Sequence, residues 1–235
     1  MKAQQNDIAN VQGKSLAFRQ DVAKRYAQRG VMKKLILISC VAVIISCAKE
    51  KNADTNTKES FNPMAIALND SAVNIIQQSW RIGMTDSMAN ICFAFLDSAI
   101  SIEPHYVVAY ANKIQLQQEL KQYNDAINTT KALLSIEKAP EYLVQLGMLY
   151  QLSGDTQSAR KNYNDAFEIY TEKVKSGCAT SADTMNYFGV DYFLNGKSQT
   201  FQDIKSLSPQ NCNYYIEFFE SVSNDPLLRK ITITP

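Results

Sequence analysis

The chain has 235 residues and a net charge of +1, and its 46% hydrophobic content is enough for a folded core, which argues against a wholly disordered protein. Glycine and proline are scarce, with eight and six residues, which argues against an all-β fold. Residues 1–46 contain eight basic and two acidic side chains, whereas the remainder contains 16 basic and 21 acidic ones. Because this acidic remainder has no basic stripe, nucleic acid is not an expected partner.

Two N-terminal segments are predicted to be absent from the mature protein. Residues 1–31 are polar and mixed, and they are interpreted either as a membrane-surface helix or, as we favour, as an upstream leader without a role. Met32 is then the start, and two lysines separate it from an apolar run over residues 35–45. That run is too short for a bilayer, which needs about 20 residues, but it has the length of the apolar region of a signal peptide. Residues 32–46 are therefore predicted to be a signal peptide.

A cysteine closes this run, in the order Ile44, Ile45, Ser46, Cys47. These four residues resemble the lipobox of bacterial lipoproteins. The resemblance implies that an acyl lipid such as palmitate is attached to the Cys47 thiol, and that cleavage makes Cys47 the first residue. Ala48 follows instead of aspartate, as in lipoproteins sorted to the outer membrane. We therefore expect a lipid-anchored outer-membrane protein, with the periplasmic and the surface face both open.

Residues 47–62 are polar and are predicted to form a flexible tether, so that the folded domain spans residues 63–235. One motif in that domain has small and apolar residues at a helical spacing, namely Leu146, Gly147, Tyr150, Ala159 and Tyr163. Gly154 and Asp155 lie between its halves, where a helix C-cap and the next N-cap belong. The motif resembles the core of a tetratricopeptide repeat, a helical hairpin of about 34 residues.

Weaker copies of the motif flank this hairpin. The residues at equivalent core positions are Ala126 in a second hairpin over residues 107–138, and Gly189 and Tyr192 in a fourth. A degenerate first hairpin is predicted to begin with Asn69 or Asp70 as its cap, and the fourth with Asp183 or Thr184. The fold is thus predicted to be all-α, a solenoid of three to four such hairpins with a capping helix over residues 213–223 and a loose or extended tail. A generic helical bundle is the alternative.

The resemblance implies that the first helices of the hairpins line a concave groove that binds a partner. The predicted groove residues are Gln77, Arg81, Gln115, Gln118, Val144, Met148, Gln151, Asn186, Val190 and Phe193. This surface suits an extended peptide or a helix of an envelope protein. The clamp with which chaperone-binding members of the family grip a C-terminal carboxylate is absent. The alternative is a surface lipoprotein that binds a glycan or a peptide nutrient, for which Tyr187 and Phe193 are the main aromatic candidates.

No catalytic set is recognised, so an enzyme, a metal site or a cofactor is not expected. His105 is the only histidine and is predicted to lie in a turn between hairpins, which leaves no Cys–His or Ser–His–Asp site. Cys92 occupies a small-residue position and is predicted to be a core thiol. Cys178 and Cys212 are predicted to lie in loops, and either a disulfide or two free thiols are compatible with export.

Overall fold

Helices dominate the described part of the chain. The computed structural model describes residues 61–208, 210–222 and 231–233, which contain eight helices and no strand. In chain order the helices are α1 (Pro63–Ile82), α2 (Asp86–Ile102), α3 (Val107–Glu119), α4 (Tyr123–Ile136), α5 (Pro140–Ser153), α6 (Thr156–Lys175), α7 (Ser181–Leu207) and α8 (Cys212–Val222). None of these described helices is long and apolar enough to cross a membrane. The predicted all-α class is confirmed.

The helices pack as consecutive hairpins. α1 packs with α2, α3 with α4, and α5 with α6, and each hairpin then packs against the next one in the chain. α3 joins two core clusters, because it supplies Leu116 to the cluster with α1 and α2 and Ile114 to the cluster with α4 and α5. A core that passes from hairpin to hairpin is that of a helical solenoid, as predicted.

α8 closes the C-terminal end of this solenoid through aromatic contacts with α7. The rings of Phe188 and Tyr215 lie 5.1 Å apart, and those of Tyr192 and Phe219 stack at 5.6 Å. Tyr215 and Phe219 are both buried, which gives α8 one apolar face against α7. The predicted capping helix is thereby confirmed.

Two predicted helix starts are wrong. α1 begins at Pro63 rather than after Asn69 or Asp70, because the Asn62 side chain accepts a hydrogen bond from the Met64 N–H at 2.9 Å and proline suits the first helical position. Asn69 instead lies buried within α1, where its Oδ1 accepts from Asn112 Nδ2 of α3 at 2.7 Å.

α7 begins after Thr180, not after Asp183 or Thr184. The Thr180 hydroxyl accepts from the Asp183 N–H at 3.1 Å, and the Asp183 carboxylate accepts from the Thr180 N–H at 3.0 Å. This reciprocal capping box makes Asp183 the third helical residue, one turn inside the helix. Lys173 Nζ also donates to Asp183 Oδ1, which ties the start of α7 to α6.

The α5–α6 hairpin has the connection that its sequence predicts. Gly154 adopts a left-handed conformation with φ 93° as the C-cap of α5, and the Asp155 side chain accepts from the Ser158 N–H at 3.0 Å as the N-cap of α6. A methyl group on Gly147 would overlap the Tyr163 ring, so close approach of the two helices requires glycine there. The predicted repeat-core residues that are buried are Ala126, Leu146, Gly147, Ala159, Tyr163 and Tyr192, whereas Tyr150 and Gly189 are partly exposed.

α7 is interrupted at Gly196, whose φ of 79° and ψ of 174° are not helical. The chain folds back beyond this point, since Asp203 lies close enough to Tyr187 to raise its pKa. In a continuous helix these two residues would be about 24 Å apart along the axis. α7 is therefore a short fourth hairpin, as the sequence pattern around Gly189 and Tyr192 predicts.

Candidate functional site

The ten predicted groove residues do not form one accessible surface. Gln77 and Arg81 of α1 are exposed, and the amides that are partly exposed are Gln115, Gln118 and Gln151. The other five are buried: Val144, Met148, Asn186, Val190 and Phe193. We call the part along α1 and α3 the open half and the part along α5 and α7 the closed half. These five predicted groove residues are therefore not accessible to a partner in this structure.

A C-terminal segment, residues 231–233, lies against the closed half. Ile231 and Ile233 are 0% and 3% exposed, although the tail is predicted from the sequence to be loose or extended. The Ile233 N–H donates to the Phe193 carbonyl at 2.8 Å, and the Tyr163 hydroxyl donates to the Ile231 carbonyl at 3.2 Å. The sequence signal that could have indicated this burial is the alternation of isoleucine and threonine after Lys230.

The side chains beneath this segment hold one another in place. The rings of Tyr163 and Phe193 lie 5.2 Å apart, and the Tyr163 ring also rests on Gly147. Burial raises the pKa of Tyr163 well above its ordinary value, so its hydroxyl stays protonated and remains a hydrogen-bond donor. Phe193 lies three residues before the break at Gly196, and its carbonyl accepts from the C-terminal segment. The closed half thus offers a fixed donor and a fixed acceptor to a peptide backbone.

A buried carboxylate lies on α7 beside this site. Asp191 is fully buried, and its Oδ1 accepts from Asn195 Nδ2 at 2.7 Å, whereas its Oδ2 has no hydrogen-bond partner among the described residues. Burial raises the pKa of Asp191. Burial, together with the charges of Asp191 and Asp203, also raises the pKa of Tyr187 to about 12. Within the described ranges no group of three or more histidine, cysteine or acidic side chains could hold a metal ion.

The open half presents hydrogen-bonding groups on a rigid base. The Asn69–Asn112 bond fixes α1 against α3, the two helices that carry Gln77, Arg81 and the partly exposed Gln118. Apolar side chains of these helices are also exposed, among them Trp80 at 43%, Ile82 at 74% and Val108 at 47%. Amide and guanidinium groups of this kind match the carbonyl and N–H groups of an extended peptide.

A polar pocket that the sequence analysis does not predict lies between α2, α3 and α4. Its volume is about 390 Å³, and it is lined by Asn90, Phe93, Lys113, Gln117, Gln122, Asp125, Asn128 and Thr129. Gln117 is 5% exposed, and its Oε1 has no hydrogen-bond partner in the described part of the chain. Lys113 is held by Asp97 at 2.6 Å. The one sequence signal is that Gln117 stands where the repeat pattern places an aromatic residue.

The remaining predicted residues carry no assembled site. His105 is exposed in the turn between α2 and α3, as predicted. Cys178 and Cys212 are free thiols in the structure, and Cys92 is a buried one whose pKa is raised by burial. The predicted lipidation residue Cys47 and the predicted leader and signal peptide lie outside the described residues.

No protein-family model matches the chain, and no curated protein matches it.

Proposed function

We propose that the chain is a lipid-anchored helical-repeat scaffold of the bacterial outer membrane that binds an envelope protein or peptide along its first helices. The observation that carries the binding part is the open half, where Gln77 and Arg81 are exposed on α1 and the amides of Gln115 and Gln118 are partly exposed on α3. The anchoring part rests on the sequence around Cys47 and on its resemblance to a lipobox. Neither an enzymatic activity nor a cofactor is part of this proposal.

The anchor is tested by intact-mass and N-terminal analysis of the chain recovered from bacterial membranes. A mature protein that begins with a lipid-modified Cys47 is the expected result. A Cys47→Ser variant, which keeps the size of the side chain, should remain uncleaved and unlipidated. An unmodified wild-type chain that begins at Met1 would refute the anchor, whatever the groove binds.

The groove is tested by site-specific photo-cross-linking in cells, with the cross-linking residue at Gln77 or, as a matched control, at the exposed Gln157 of α6. We expect a discrete cross-linked partner from position 77 alone. Arg81→Glu should abolish that product, because it reverses the charge beside the contact. Arg160→Glu, the same change at an exposed residue of α6, should leave the product unchanged. Equal labelling from both positions would contradict binding in the groove.

A second candidate function, binding of a small neutral sugar, is favoured by the pocket between α2, α3 and α4. Its volume lies in the range of about 300–1,000 Å³ found for ligand sites. Amides and the Asp125 carboxylate would bond to hydroxyl groups, and Phe93 offers an apolar surface to the sugar ring. The predicted groove supports this function less well, because both of its aromatic candidates, Tyr187 and Phe193, are buried.

Ligand-observed NMR with a set of neutral hexoses and with N-acetylglucosamine tests this second function. Binding should be lost in Asn128→Ala, which removes a pocket amide, and retained in Asn124→Ala, an exposed position on the same helix outside the pocket lining. Absence of binding by every sugar, or equal binding by both variants, would contradict it.

A further inference from the structure

The C-terminal segment is attached to the closed half through its backbone. The Ile231 carbonyl accepts a hydrogen bond from the Tyr163 hydroxyl, and the Ile233 N–H donates one to the Phe193 carbonyl. These bonds do not depend on which side chains the segment carries. Selectivity comes instead from the two isoleucine side chains, which are 0% and 3% exposed.

The surface beneath the segment is unfavourable when it is empty. The Tyr163 hydroxyl is buried and would lose its acceptor, and the Phe193 carbonyl would lose its donor. The Ile231 and Ile233 side chains, which are 0% and 3% exposed, would lose their burial. An occupant that supplies the same two backbone groups and two aliphatic side chains restores the two hydrogen bonds and the burial of aliphatic surface.

We propose that the C-terminal segment is an internal ligand of the closed half, and that a partner segment with aliphatic side chains at positions i and i+2 binds there in its place. This inference rests on the proposed scaffold function and names the chemistry of the partner and the regulation of its site. Because the internal segment belongs to the same chain as its site, it competes with any partner intramolecularly, whatever the protein concentration. The partner therefore binds appreciably only when its affinity and concentration are high enough to displace the internal segment, or when that segment is released.

The test uses the full chain and a fluorescent peptide with the sequence of residues 229–235, RKITITP, measured by fluorescence anisotropy. Ile233→Asp should release the internal segment and strengthen binding of the peptide at least tenfold over wild type. Ile82→Asp, the same change at a 74% exposed isoleucine, should bind as wild type does. The peptide RKSTSTP, which lacks both aliphatic side chains, should not bind to any of these chains. Equal affinity of wild type and a folded Ile233→Asp variant for RKITITP would overturn the proposal.

Hydrogen exchange in the wild-type chain provides a second measurement that does not require the variant to fold. The Ile233 amide should exchange through a local opening, at least a hundredfold faster than the amide of the fully buried Leu149 in α5. Identical exchange rates with identical denaturant dependence would overturn the proposal, because the segment would then leave only when the whole domain unfolds. Dimers that exchange their C-terminal segments would also overturn it, since the occupant would then be a second copy.

Failure of this proposal is distinguishable from failure of the scaffold function. Cross-linking at Gln77 and the Arg81→Glu variant report on the open half, whereas the RKITITP peptide reports on the closed half. A partner that depends on Arg81 while RKITITP fails to bind would leave the scaffold function intact and remove the internal ligand.

Discussion

Two glycines that occupy equivalent positions in the sequence pattern are expected to respond in opposite ways to the same substitution. Gly147 and Gly189 both lie inside helices and both follow a large apolar residue. A methyl group on Gly147 would overlap the Tyr163 ring, whereas one on Gly189 would have no neighbour within 4 Å. The Tyr163 ring has no room to withdraw, because it is fully buried and packs against Phe193.

The magnitudes follow from two opposing effects. Alanine in place of glycine inside a helix favours folding by about 0.5–1 kcal/mol. At Gly189 this is the main effect, so Gly189→Ala should stabilise the chain by that amount. At Gly147 overpacking opposes it with a cost of about 1–3 kcal/mol, which leaves a net destabilisation of roughly 1–2 kcal/mol.

Urea unfolding of the two variants and of wild type measures this difference. With an m-value of about 2 kcal/mol/M, a gap of roughly 2 kcal/mol separates the two unfolding midpoints by about 1 M. In a Tyr163→Ala background, which removes the ring, Gly147→Ala should no longer destabilise. If Gly147→Ala is at least as stable as wild type, the close α5–α6 contact is not the reason for this glycine.

Two further predictions concern α7. Burial raises the pKa of Asp191, so its ionisation opposes folding as the pH rises from the pKa of the unfolded state, about 3.9, through the pKa of the folded state. Asp191→Asn should therefore stabilise the chain by about 1 kcal/mol at pH 7 and by less at pH 4. A gain in melting temperature that is equal at both pH values would contradict this. Gly196→Ala should lower the free energy of unfolding, measured in urea, by about 1–3 kcal/mol, because a φ of 79° strains any residue with a side chain. An unchanged urea midpoint would show that the break in α7 tolerates a side chain.

The local features of the fold could be predicted from the sequence because they depend on neighbouring residues. The turn at Gly154 and Asp155 follows from short-range capping and helical periodicity. The start of α1 was mispredicted because Asn69 has the chemistry of a cap, but its side chain bonds to Asn112, 43 residues later. Such a distant partner cannot be recognised from the local pattern.

The same limit explains why only part of the candidate site could be predicted. The pattern places Val144, Val190 and Phe193 on the first helices of their hairpins. It does not indicate that Ile231, 68 residues after Tyr163, returns to the closed half. The sequence pattern also does not distinguish Gly147 from Gly189. The two glycines differ in whether an aromatic ring of the next helix lies against them, as the Tyr163 ring does at Gly147.

The break at Gly196 connects the closed half of the groove to the buried carboxylate. By ending the first part of α7, it places the Phe193 carbonyl where the Ile233 N–H reaches it. By turning the chain back, it brings Asp203 near Asp191 and Tyr187, which a continuous helix would keep apart. The same glycine therefore sets both the acceptor that the C-terminal segment uses and the carboxylate neighbours that, together with burial, raise the pKa of Tyr187.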